Sequence, residues 1–159
     1  MLSDNTILAA KVISITGPIF CAGFNVCAGH TVVPRLCQEP VSSGPAIFTH
    51  VFKTGSIYVI PTAFLSVGTS LLLAYTEPDR ALQWGLAALS VLVTGPFTGL
   101  YMYPGIKRLG DIAGDTAMQR KAGETGEHIR LMKSWNRQGD FRASLFLAGG
   151  VLGVYASLR

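Results

Sequence analysis

Trp135-Asn136-Arg137-Gln138-Gly139-Asp140-Phe141-Arg142 is a dense polar and charged run, and it meets the apolar stretch Ala143 to Leu158 with no turn between them. In a water-soluble protein such a boundary would be buried in a core. The rest of this chain argues that a membrane helix enters the bilayer here, with Arg142 at the edge of the hydrocarbon and Trp135 roughly two turns earlier. That placement suits a plain interfacial anchor. It suits the mouth of a buried active site equally well.

The surrounding composition supports a membrane. At 159 residues the chain is one domain, 1–159, by length. Apolar residues make up 49%, charged residues only 14%, and mean hydropathy is +0.40. The apolar residues arrive in blocks: Val12–Val33, Gly55–Tyr75 and Ala81–Tyr103 are each near the ~20 residues that cross a bilayer, and Phe141–Leu158 is a shorter fourth that extends upstream as a helix. Backbone groups in lipid are satisfied only by helices or closed barrels, and these blocks lack the alternation of barrel strands. The expectation is an all-α integral membrane four-helix bundle.

Charge sets its expected orientation. The net charge of +4 is better explained by topology than by nucleic acid. Lys107, Arg108, Arg120, Lys121, Arg130, Lys133 and Arg137 fall between the third and fourth segments, whereas the Thr76–Arg80 connection has Arg80 alone. Under the positive-inside rule this makes a long basic cytoplasmic loop between helices three and four. The first loop, Arg35–Lys53, shares its side. Both termini and the short second loop face the lumen or exterior, with Lys11 and Arg159 running against the rule. The N-terminus, with Asp4 and a long apolar run, does not read as a cleaved signal peptide. Cys21, Cys27 and Cys37 are odd in number and show no metal or disulfide spacing, so they read as reduced packing residues.

Within the segments, Gly17-Pro18 marks a kink, and Gly17, Cys21, Asn25 and Gly29 form one stripe at four-residue spacing. Asn25 therefore faces the bundle, as interhelical glue or as a pocket-lining amide. His30 lies near the cytoplasmic end, as an interfacial group or as a base. Thr62, Ser66 and Ser70 form a hydroxyl ladder that bonds its own backbone or lines a polar seam. Pro61 bends the second helix. Pro104-Gly105 ends the third, and Ile106–Arg130, with Gly110, Gly114, Gly123 and Gly126, reads as a short amphipathic helix plus a flexible linker. Gly95 with Gly99, and Gly149, Gly150 and Gly153, are close-packing faces suited to intramolecular contact or to self-association as a homo-oligomer.

Topology gathers His30, Tyr58, Thr98, Tyr101, Asp140 and Arg142 at the cytoplasmic helix ends. A pocket among them would be apolar with a few convergent polar groups, the usual anatomy of a small-molecule site. The chain carries no dinucleotide fingerprint, Walker loop, nucleophile elbow or metal motif, so neither a metal nor a cofactor is expected.

Ala22-Gly23 with Val33-Pro34, then Pro96-Phe97-Thr98 with Met102, Pro104 and Leu109, then Trp135 with Arg142 and an apolar tail, give a pattern that resembles the anthrone oxygenase-like family of small four-helix membrane proteins. The pattern departs from the family at Ile106 and Gly139, where polar residues are common. The resemblance implies oxidation of an anthrone-like aromatic polyketide to a quinone in secondary metabolism, with molecular oxygen as co-substrate and no cofactor. It implies His30 or Asp140 as base and Arg142 as the anion-stabilising cation, with Asn25, Tyr58, Thr98, Tyr101 and Trp135 around the substrate. It further implies a lipophilic aromatic substrate, membrane lipid as surroundings, no nucleic acid, and an endoplasmic reticulum or other endomembrane setting if the source is fungal. Two other readings fit the same scaffold: a cyclase or isomerase using acid–base chemistry on a lipophilic metabolite, and a non-catalytic membrane binding or scaffold protein.

Overall fold

Ser3 opens the first helix: its hydroxyl accepts from the Thr6 N–H at 3.2 Å, and Asp4 places a negative charge against the positive helix end. The computed structural model describes residues 3–158, and every regular element within them is helical. The helices are α1 (Asp4–Leu36), α2 (Gly44–Thr76), α3 (Pro78–Gly114), the short α4 (Thr116–Thr125) and α5 (Glu127–Leu158). All but α4 are long and apolar enough to cross a membrane. Around the bundle the order is α1, α2, α3, α5, with α5 closing back onto α1.

The helices are longer than their apolar blocks, and two expected loops are largely helical. The first connection shrinks to residues 37–43 because α2 already begins at Gly44, with Pro45 in its first turn where a missing N–H costs nothing. Phe48, Phe52, Gly55 and Val59 then continue one face at helical spacing. The long basic loop after Tyr103 is likewise mostly helix. Ile106, Leu109 and Ile112 recur every third residue, are buried, and carry α3 on to Gly114. Asp115 caps α4 by accepting from the Ala117 and Met118 N–H groups at 2.7 and 3.2 Å. Gly126 turns the chain into α5 with φ 64°, a left-handed conformation that favours glycine. Arg108 grips Glu127 through two N–H···O bonds of 2.9 and 3.2 Å, tying α3 to the start of α5.

The α-helical pattern runs on through Gly17-Pro18 and through Pro61. It changes instead at two π-turns, Ala28–Val32 in α1 and Thr98–Met102 in α3. Val33 N–H bonds to the Ala28 carbonyl and Tyr103 N–H to the Thr98 carbonyl, a wider spacing than the α-helical one. Pro34 and Pro104 follow directly. Each lacks an N–H and would crowd a carbonyl of the preceding turn, so the wider turn accommodates the ring and the helix continues.

Glycines bring α5 close to α1 and α3, as Gly17 and Gly55 do for α1 and α2. A side chain at Gly150 would begin 2.7 Å from Ile19 Cγ1 and 3.3 Å from the Ile15 carbonyl, and one at Gly149 would begin 2.9 Å from Val91. The Gly149–Gly153 patch is therefore consumed by intramolecular packing. Gly95 and Gly99 face open space. In the hydroxyl ladder, Thr62 bonds the Tyr58 carbonyl and Ser66 the Thr62 carbonyl, and Ser66 also reaches the Ile13 carbonyl of α1 at 3.4 Å.

At the end opposite the basic segment, Glu77 fastens α1 to the α2–α3 turn. It lies 2.5 Å from Lys11 Nζ, accepts from Trp84 Nε1 at 3.0 Å, and has Arg80 at 3.8 Å. Lys11, which runs against the charge rule, is thus neutralised. Burial pushes the Glu77 carboxyl up, but the hydrogen bonds from Lys11 and Trp84 and the two nearby cations together hold it below the ordinary glutamate value. A depressed folded-state pKa contributes stability above the unfolded value, and that contribution is lost as pH falls through the folded one. Glu77→Gln keeps an acceptor for Trp84 and removes the charge. It should cost about 1 kcal/mol at neutral pH, a figure already reduced for solvent screening. In detergent unfolding curves, the difference from wild type should begin to shrink as pH falls below the ordinary glutamate value and vanish below the depressed folded-state one.

Candidate functional site

The polar centre of the bundle is one guanidinium and the groups that hold it. Arg142 projects inward from α5 and is 9% exposed. Its Nε donates to Asn25 Oδ1 of α1 at 3.1 Å, its Nη2 donates to the same oxygen, and its Nη1 donates to Thr98 Oγ1 of α3 at 3.1 Å. Each acceptor is itself oriented. Asn25 Nδ2 donates to the Cys21 carbonyl at 2.6 Å, which turns the amide oxygen toward Arg142. Thr98 spends its hydroxyl proton on the Thr94 carbonyl at 2.7 Å, leaving a lone pair for the guanidinium.

These partners are neutral. No carboxylate among the described residues pairs with Arg142. One N–H on each terminal nitrogen also has no protein acceptor among the described residues. A cation held in an apolar bundle without a counter-charge is costly, so its retention points to a use for the charge.

The use lies beside it. Arg142, Asn25 and Thr98 border a cavity of about 370 Å³, within the range of small-molecule sites. Apart from Ser56 and Thr94, whose hydroxyls bond backbone carbonyls of their own helices, its walls are otherwise apolar and rich in rings: Phe24 from α1, Phe48, Phe52 and Phe64 from α2, and Phe146 from α5. Trp135 closes the same cavity and stands edge-on to Phe48, with ring centres 5.2 Å apart. Gly55 is what lets Phe24 approach α2, since a Cβ there would begin 2.6 Å from the ring.

Of the residues singled out from the sequence, Asn25, Thr98, Trp135 and Arg142 therefore share one cavity. His30, Asp140, Tyr58 and Tyr101 do not line it. His30 Nε2 and Asp140 Oδ1 lie 2.9 Å apart on the outside of the bundle, paired with each other. Tyr58 and Tyr101 are 60% and 65% exposed, and Tyr101 stacks on Phe97. Sharing a membrane depth does not mean sharing a face. His30 and Tyr101 both sit within π-turns, where an extra residue per turn shifts the side chains that follow by about 100° from their α-helical direction.

The aromatic wall is not among the residues that the sequence singles out. Phe48 and Phe52 fall within the expected first loop, although their spacing to Gly55 and Val59 is a helical signal. The Phe24–Gly55 contact has no signal, because it joins distant parts of the chain.

The anthrone oxygenase family model matches residues 48–152, which include Phe48, Thr98, Trp135 and Arg142. The chain is 26% identical to the anthrone oxygenase encC of Aspergillus fumigatus over 93% of this chain and 92% of that protein. No solved structure matches. By the extent of the family match, this chain belongs to the anthrone oxygenase family.

Proposed function

We propose that this protein is a membrane-embedded oxygenase that converts an anthrone-like aromatic polyketide to the corresponding quinone, using molecular oxygen and no cofactor. The observation that carries the reading is the uncompensated Arg142 cation at the wall of an aromatic-lined cavity. Family membership and the named relative support the choice of reaction.

The chemistry asks little of the protein beyond electrostatics. Transfer of a methylene proton of an anthrone to water, which returns it in a later step, leaves an anion delocalised onto the ring oxygen. That oxygen meets the free N–H groups of Arg142. Molecular oxygen then adds at the former methylene carbon, the peroxide oxygen takes up a proton, and water leaves to give the carbonyl. One anthrone and one oxygen molecule yield one quinone and one water. Donors fixed in place before charge develops need no reorganisation in the transition state, and in a dry site their effect is large. We assign Asn25 and Thr98 the task of fixing the guanidinium, and Trp135 with the phenylalanines the task of seating the flat rings. The His30–Asp140 pair stands outside the cavity walls, so the reading assigns it no contact with substrate.

In this reading the Arg142 end of the bundle faces the cytoplasm from an endomembrane, an orientation supported by the basic residues around α4 under the positive-inside rule. An isomerase or cyclase would use the same cation to hold an enolate, and turnover without oxygen would distinguish it.

The test is oxygen-dependent quinone formation from an anthrone by purified protein in detergent, measured above the spontaneous rate. Wild type at the spontaneous rate would sink the proposal. Asn25→Asp sharpens it by placing a carboxylate against Arg142. The carboxylate pairs with Arg142 but forfeits the Nδ2–H bond to the Cys21 carbonyl, so thermal stability should change little while the charge offered to substrate is cancelled, and turnover should fall about 10- to 100-fold.

A further inference from the structure

The cavity is closed at both ends and open at its side. Toward the basic end it is sealed by a packed cluster that includes Leu36, Phe48, Met102, Ile106, Met132 and Trp135. Toward the Glu77 end, Val91, Phe146, Leu73 and Trp84 fill the bundle. Between α2 and α3 the wall is different. Phe64 and Leu92 border the cavity and are also 69% and 51% exposed on the outer surface. Gly95 and Pro96 complete this rim, and both are exposed. A Cβ at Gly95 would meet nothing within 4 Å, so the glycine leaves a gap where a larger residue would fill the rim.

The gap lies inside the membrane. Phe64 stands about 18 Å of helix rise from Thr76 at the end of α2, and Gly95 about 21 Å from Ala81. Both distances fall within a hydrocarbon core about 30 Å thick. The residues around the gap are apolar, as a surface facing lipid requires.

We propose that substrate reaches Arg142 sideways from the hydrocarbon, through a portal between α2 and α3 bounded by Phe64, Leu92 and Gly95. The inference rests on the anthrone reading for its occupant. A flat aromatic molecule with an ionisable oxygen matches a slot that has aromatic walls and a cation, whereas a lipid acyl chain offers nothing to the free N–H groups. The portal also explains how a dry site is loaded without opening either packed end to water.

The experiment separates loading from oxidation. Protein in lipid vesicles is mixed with an anthrone without oxygen, and loading is followed through tryptophan fluorescence, in which Trp135 of the cavity wall responds over the constant background of Trp84 at the packed Glu77 end. Oxygen is then admitted and a single turnover is measured. Gly95→Phe, which blocks the rim without adding indole fluorescence, should slow loading about tenfold or more, a far larger effect than any on the single-turnover rate of loaded protein. Leu92→Phe, on the same rim, should act in the same direction. Gly99→Phe, also in open space but off the cavity wall, should behave as wild type. Rim variants that load at the wild-type rate overturn the portal. If wild type loads anthrone but does not oxidise it, the oxygenase reading fails while the loading comparison still decides the portal. A wild-type chain that takes up no anthrone overturns both.

Discussion

Replacing Arg142 with methionine should lower turnover of an anthrone about 10²- to 10³-fold, the range seen when a preorganised anion-stabilising donor is removed. Methionine has similar length and fills the space, so the cavity wall remains. The protein should still accumulate, because removing a buried cation also removes its desolvation cost. Asn25 and Thr98 lose a partner, but each keeps its own backbone bond, to the Cys21 and Thr94 carbonyls respectively. Arg142→Lys retains the charge without the planar fork that reaches Asn25 and Thr98 together, and should recover only part of the activity. The measurement is kcat and kcat/KM in detergent, corrected for spontaneous oxidation and normalised to folded protein. A methionine variant that accumulates normally and turns over at the wild-type rate would remove Arg142 from the mechanism and favour a binding or scaffold role.

The second large effect concerns the bundle itself. Gly150→Leu should destabilise the protein by about 1–3 kcal/mol or more, the cost of overpacking. Ile19 can yield by changing rotamer, but the Ile15 carbonyl is backbone and cannot, so α1 and α5 must separate. That displaces Asn25 from Arg142, since these residues join the same two helices. The thermal midpoint in detergent should fall, and activity should fall with it. Gly99→Leu, in open space, should leave the midpoint close to wild type. A Gly150→Leu protein with an unchanged midpoint would show that the close approach of α1 and α5 is not limiting.

How much of this is legible in the sequence depends on the range of the interaction. The spans are legible because hydrophobic burial in lipid is additive along the chain: a block of apolar residues needs no partner to declare itself. Their ends are harder. Residues 44–54 carry enough glycine and proline to look like a loop yet are helical, and 104–125, expected to hold a short amphipathic helix and a linker, is helical nearly throughout. The short apolar repeat of Ile106, Leu109 and Ile112 outweighs Pro104, because a π-turn has already absorbed the missing hydrogen bond.

The same distinction runs through the stretch from Trp135 to Arg142. Sequence alone determined that Arg142 stands where a charged run meets an apolar span, that Asn25 faces the bundle, and that the chain resembles a known family. It left Arg142 undecided between anchor and buried cation, because either role puts the same residue type at the same depth. Tertiary structure decided the matter through direction: Arg142 turns inward to Asn25 and Thr98, while Asp140, only two residues earlier, turns outward to His30. Depth is a property of position along a helix and can be counted from the sequence. Facing depends on how the helices rotate and pack against one another, and in α1 and α3 that rotation is reset by π-turns that α-helical counting does not foresee.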